Sequence, residues 1–255
     1  MCAKHKGLII SFEGLDNCFK ETNYKAFLHR LTNNYSYIMG IPTLSESFPR
    51  YNSEWSFPIK QWLTNKDFRN QVKNNPKLVN SLYAADRAAY WSEDHHIDTY
   101  KDEYSIFVFD RYDSSKFYNP INRKYTSYTD FMFDNLYAGN PLPDITFVMH
   151  MDNFGIFMNL LEEKANRDAN ELDKEYMHNV YFNLEKSITR DLFSRVNTEL
   201  HVIEVLNQDG SIKTKEEIAQ DIWSRFIVSG KFTIFNTEVQ NNAWNQPYCR
   251  RESVY

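Results

Sequence analysis

The chain's most suggestive chemistry lies in one stretch, Gly14-Leu15-Asp16-Asn17-Cys18-Phe19-Lys20-Glu21-Thr22, which directly follows an apolar run over 8–12. A strand, a tight turn and a lysine at the mouth of a helix make an anion cradle. Backbone amides wrap phosphate oxygens and the ammonium neutralises their charge. Two parts of the usual pattern are replaced. Such loops place glycine before the lysine and Ser or Thr after it, the hydroxyl holding Mg²⁺; here those positions are Phe19 and Glu21. Phe19 disfavours the backbone that glycine takes freely, and its ring competes for the space phosphate needs. Glu21 repels a polyphosphate unless its longer arm reaches a metal ion. Gly14, Asp16, Asn17, Lys20, Glu21 and Thr22 are the candidate phosphate-binding residues, with Thr22 also expected to cap the following helix.

Other chemistry-bearing groups follow further apolar runs. Asp110-Arg111-Tyr112 comes after the run over 106–109. The carboxylate can hold Mg²⁺ or accept a proton, and the guanidinium can grip phosphate through its planar fork. A structural ion pair is the alternative use of those charges. Phe48-Pro49-Arg50-Tyr51 follows the run over 43–47, with proline fixing the turn and Arg50 either facing the same cleft or lying exposed. In Leu82-Tyr83-Ala84-Ala85-Asp86-Arg87, Tyr83 and Arg87 stand one helical turn apart. A ring and a guanidinium on one face suit a nucleobase; a core aromatic beside a surface arginine is the plainer reading. Lys164, Arg167 and Asp168 occupy a polar stretch over 164–171, which suits a flap over a site or a solvated charge run. Adjacent His95 and His96 point in different directions on a helix and read as surface residues.

These groups need a frame, and the hydrophobic pattern supplies one. Short apolar runs over 8–12, 43–47, 106–109, 145–149 and 201–205 alternate with helical patterns over 22–31, 76–96, 156–163, 173–195 and 214–227. Alternation of this kind predicts an α/β fold, a parallel sheet flanked by helices on both faces. Ligands then collect outside the carboxyl ends of the strands, where the loops named above fall. The 255 residues suit one domain over 1–229 with an aromatic, Asn-rich tail over 230–255. That tail carries Phe232, Phe235, Trp244 and Tyr248 and is expected to pack on the body or on a partner.

A formal net charge of -5, with 25% charged residues, gives no global attraction to nucleic acid or anionic membrane, so anion binding must be local. Cys2, Cys18 and Cys249 are odd in number and far apart, which suits free thiols in a reducing compartment. No apolar stretch reaches the roughly 18 residues that span a bilayer. The expected setting is cytoplasmic, in a bacterium or a virus-infected host cell.

Taken together, Ile10-Ser11-Phe12-Glu13-Gly14-Leu15-Asp16, Phe48-Pro49-Arg50-Tyr51, Leu82 to Arg87, Asp110-Arg111-Tyr112 with Ser114-Ser115, Pro141 to Thr146, and Asp168 with Glu171 to Tyr176 resemble thymidylate kinase in the family's order. The resemblance covers about 7–226 and implies a P-loop NTPase-like sheet with a short lid segment. It implies ATP as donor, dTMP or a related deoxynucleotide as acceptor, and Mg²⁺ as cofactor. Lys20, Asp110, Arg111 and Arg167 take the catalytic places, and Asp110 and Glu21 those nearest the metal. Asp16, Phe48, Arg50, Tyr83, Arg87, Arg111 and Ser115 match the monophosphate site. Within it, Tyr83 matches an aromatic that stacks on thymine, Arg87 an arginine near the base, and Arg50 an arginine displaced by one position. Ser114 and Ser115 match a polar stretch lining the cleft, although 116–119 depart from the family pattern. Arg167, or Lys164, matches the lid. Two readings stay open: an active kinase, or a pseudokinase that binds nucleotide or acts as a scaffold. A homodimer and a protein partner held by the tail are further expectations.

Overall fold

Side chains along Leu8–Gly14, Ile106–Asp110 and Ile145–His150 are buried at every position, so these segments must lie inside a sheet covered on both faces. The computed structural model describes residues 5–15, 17–72, 75–112, 138–165, 171–189 and 198–245. Its strands are β1 (Leu8–Gly14), β2 (Thr43–Ser47), β3 (Ile106–Asp110), β4 (Ile145–His150) and β5 (Glu199–Glu204). All pair in parallel in the order β2-β3-β1-β4-β5. Half-exposed β2 and β5 form the edges. The expected parallel α/β architecture is therefore present, with each apolar run within two residues of its strand.

The helices are α1 (Lys20–Arg30), α2 (Tyr37–Met39), α3 (Phe57–Thr64), α4 (Lys66–Val72), α5 (Pro76–Ser92), α6 (His96–Asp102), α7 (Phe154–Glu163), α8 (Lys174–Thr189), α9 (Lys215–Val228) and α10 (Gly230–Asn245). The single helix expected over 76–96 is broken. Asp94 and His95 take left-handed backbone, at φ 45° and 57°, and the chain restarts as α6. Such breaks leave no mark in apolar periodicity, because exposed residues make them. Helix α1 begins at Lys20, not at Thr22; Phe19 stands at its N-cap with no capping side chain, and Thr22 is an exposed first-turn residue. Thr214 does cap α9, in a reciprocal pair with Glu217.

Alternation along β1 and β3 sorts the core into two. Ile9, Phe107 and Phe109 pack with Tyr90, Trp91 and Tyr100 of α5 and α6, while Leu8, Ile10, Phe12, Ile106 and Val108 pack with Phe27 of α1 and Phe226 of α9. Phe27 sits 5.3 Å from Phe12 and 5.1 Å from Phe226, centroid to centroid. Ser11 and Thr146, buried between β1 and β4, satisfy each other through a 2.8 Å hydroxyl contact.

The tail expected from position 230 is, through Asn245, a helix of the same body. Phe232, Phe235 and Val239 of α10 join the main core, and the Phe232 ring lies 4.1 Å from Phe226. Tyr35 donates a hydrogen bond to Asn236 at 2.8 Å. Glu199, at the start of β5, caps the helix. Its carboxylate accepts from the Ser229 hydroxyl at 2.9 Å and the Lys231 amide at 3.1 Å. Residues 246–255, with Tyr248 and Cys249, lie outside the described part, as does Cys2.

Burial raises the Glu199 pKa, but the Lys231 amide and Ser229 hydroxyl outweigh it, and the net displacement is downward from 4.5. The cap thus contributes fully above pH 4.5 and fades as pH falls through the lower folded value. Glu199→Gln should cost about 1 kcal/mol in urea unfolding at neutral pH. The difference from wild type should shrink towards zero in acid.

Candidate functional site

β1 leaves the sheet through Gly14, where no other residue fits. Its φ is +136°, and a Cβ there would lie 2.7 Å from the carbonyl oxygen of Met149 on β4. The chain then turns through left-handed backbone at Asn17, φ 63°, and Phe19, φ 58°, before entering α1. Phe19 therefore keeps a glycine-like backbone without being glycine, at a cost of about 1–2 kcal/mol. Its ring packs against the main core, so the expectation that it fills the phosphate space gives way to one of backbone strain offset by burial. The carbonyl of Phe19 accepts from the Asn23 side chain at 2.8 Å and from its amide at 3.1 Å. Asn17 donates to the Leu160 carbonyl of α7 at 3.2 Å. The loop is held at both ends.

Lys20, the first residue of α1, is buried and donates to Asp110, the last residue of β3. The parallel register places Phe12 opposite Asp110, so the pair closes over the end of β1. The next two residues are fixed as firmly. Arg111 takes φ 60° and donates its amide to the Phe12 carbonyl at 2.9 Å. The Tyr112 amide donates to buried Glu13 at 2.9 Å, and its ring stacks on Phe109 at 4.8 Å. Its hydroxyl accepts from the Trp91 indole at 2.6 Å and donates to the Pro141 carbonyl at 2.9 Å. Strain at Asn17, Phe19 and Arg111 thus falls on one edge of the sheet, where backbone outliers most often mark function.

Tyr83 and Arg87 share a face of α5 beside this edge. Arg87 is buried and donates to the Tyr112 carbonyl at 2.9 Å. Burial pushes the Tyr83 hydroxyl above its ordinary range, against the opposing pull of the Arg111 and Arg87 charges. Tyr51, which directly follows the proline turn, and Tyr176, on α8, belong to motifs that the sequence reading matched without giving either residue a role of its own. Phe48 lies in the second core, 5.5 Å from Phe109 and 5.7 Å from Tyr90.

Arg50 does not face the cleft as expected. Its Nε donates to Asp86 at 3.0 Å, its Nη2 to the Asp86 carbonyl at 3.1 Å, and its Nη1 to Glu93. Its own amide donates to the other Asp86 oxygen at 3.0 Å. The guanidinium is a buried clasp between the proline turn and α5. Glu21 projects to solvent and pairs with Lys25 at 2.6 Å, whereas Asp110 is engaged by Lys20. These two carboxylates face different partners, and among the described residues no group of three or more His, Cys, Asp or Glu is arranged to hold a metal. Lys164 pairs with buried Glu171, joining the first and last residues of the polar stretch over 164–171. Asp16, Ser114, Ser115, Arg167 and Asp168 lie outside the described residues.

Removing one partner of a buried ion pair leaves the other charge uncompensated. Lys20→Met and Asp110→Asn should each cost about 3 kcal/mol in chemical denaturation, and the double variant clearly less than their sum. Additive losses would show that the two groups do not support one another.

No protein-family model matches the chain, and no curated protein matches it by sequence. Solved structures do match. Thymidylate kinase from Candida albicans superposes with a TM-score of 0.60 at 17% identity, over 90% of this chain and 95% of that one. Thymidylate kinase from Ehrlichia chaffeensis gives 0.55 at 16% identity, over 86% and 97%. At such identity the likeness is one of architecture, and it extends nearly end to end: this chain has a thymidylate kinase-like, P-loop α/β fold.

Proposed function

We propose that the protein is a deoxynucleoside monophosphate kinase that transfers the γ-phosphoryl group of ATP to dTMP or a close relative. One observation carries the reading. The phosphate-loop lysine, set by a loop in glycine-like backbone, meets Asp110 at the same strand edge that presents Arg111 and the Tyr83–Arg87 face.

In this reading Lys20 exchanges Asp110 for the donor phosphates. Arg111 and Lys20 then spread the negative charge of a loose, in-line transition state, in which positioning and electrostatics do the catalysis and no covalent intermediate forms. Tyr83 stacks on the base and Arg87 bonds near it. With Arg50 bound to Asp86 and Glu93, the acceptor phosphate falls to Arg111. Asp110, released by Lys20, becomes an acceptor at the cleft; the dTMP phosphate, largely dianionic at neutral pH, needs no base. Mg²⁺ arrives as part of the Mg–ATP substrate. Arg167 and Ser115 keep the lid and cleft places that the resemblance implies.

A coupled assay with Mg–ATP and each deoxynucleoside monophosphate tests this. Turnover should be highest with dTMP and fall about 10²-fold or more in Lys20→Ala. Phe19→Gly combined with Glu21→Ser, which restores the missing loop parts, should raise it about tenfold. Calorimetric dTMP binding with no turnover above the Lys20→Ala background would overturn catalysis and leave a nucleotide-binding pseudokinase.

A further inference from the structure

Behind the phosphate loop, one cluster of charges joins the sheet to α8. His150 ends β4 with its ring buried. Its Nδ1 faces both carboxylate oxygens of Glu204, at the end of β5, at 2.7 Å, and its Nε2 bonds Glu185 on α8. A carboxylate only accepts, so an imidazole that serves one on each nitrogen must donate from both, which requires the imidazolium. Burial works against that charge, but Glu204 and Glu185 outweigh it and push the pKa up to about 9.

Other titratable neighbours among the described residues are Tyr181, Asp152, Cys18 and Lys213. Tyr181 of α8 donates to the Met151 carbonyl at 2.8 Å and feels Glu185, Asp152, Cys18 of the phosphate loop, and Glu204. The Lys213 ammonium bonds the Glu204 carbonyl oxygen at 2.7 Å. Tyr176 stands in the first turn of α8.

We propose that His150 is a positioning residue: shared by Glu204 and Glu185, its imidazolium clamps α8 to the carboxyl edge of the sheet and so fixes the helix whose first turn carries Tyr176. Neutralising the ring leaves two carboxylates facing a group that can no longer satisfy both, so the clamp opens. The clamp stands on geometry; its effect on the acceptor nucleotide rests on the function proposed above. Since the folded pKa of about 9 exceeds the ordinary 6.5, the contribution is whole below pH 6.5 and is lost as pH rises through about 9.

Amide hydrogen exchange on the full chain at pH 7.5, compared among wild type, His150→Gln and His150→Lys, tests the clamp. His150→Gln should lower protection of α8 amides about tenfold or more while β1 and β3 stay protected. It should also weaken dTMP binding several-fold and flatten the loss of thermal stability that wild type undergoes between about pH 8 and 10. His150→Lys, which keeps a cation, should restore part of the α8 protection. Unchanged α8 protection in His150→Gln, or a His150 imidazole that titrates near its ordinary value by NMR, would overturn the clamp. Lost protection with dTMP affinity intact would overturn the positioning role. Should His150→Gln not fold, the NMR titration and wild-type α8 exchange at pH 7.5 against pH 10 decide. A wild-type chain that binds no dTMP removes the proposed function, while exchange still decides the clamp.

Discussion

A buried ammonium against a buried carboxylate, Lys20 on Asp110, is the contact on which the rest of this edge depends. Two charges withdrawn from water are tolerated only where geometry is good and the remaining valences are met. Meeting them demands that the start of α1 and the end of β3 arrive together above β1, which the Phe12–Asp110 register achieves. It also demands that the chain beyond Asp110 stay put, and Tyr112 secures this through contacts to Glu13, Phe109, Trp91 and Pro141. The left-handed residues Asn17, Phe19 and Arg111 persist because this frame over-determines them.

The two halves of the site depart from the ordinary pattern in different ways. In the loop before α1 a bulky residue stands in glycine-like backbone: Phe19 takes a left-handed conformation and turns its ring to the core. After β2, Arg50 has turned inward to Asp86 and Glu93. A comparison of letters alone suggests a damaged donor loop beside a well-kept acceptor cleft. The side-chain geometry reverses much of that contrast: Arg50 is engaged within the fold, and Arg87 is bound to the Tyr112 carbonyl.

Charge also organises the elements around the site. Glu199 holds α10 by its first amides, Lys164 pairs with Glu171 between α7 and α8, and His150 bridges β4, β5 and α8. In the first and last of these, hydrogen-bonded charges join different elements and can set the orientation of one on another.

The sequence by itself determined the sheet, because long buried runs such as 106–109 and 145–149 can be satisfied only by parallel strands covered on both faces. It also determined the order of motifs along the carboxyl edge, since Gly14, Asp110 and the Tyr83–Arg87 spacing are local features. What it left open was decided by partners far away in the chain. Lys20 lies 90 positions from Asp110, Arg50 lies 36 from Asp86, and His150 lies 54 from Glu204. Nothing in local periodicity says which of several carboxylates an arginine will meet. Nor does it show that α10 closes the core, because an Asn-rich helix with a weak apolar stripe reads as a tail until Phe226 and Glu199 are in place to receive it. Periodicity is a property of neighbours in sequence; charge pairing and docking are properties of neighbours in space, and only the folded chain sets those.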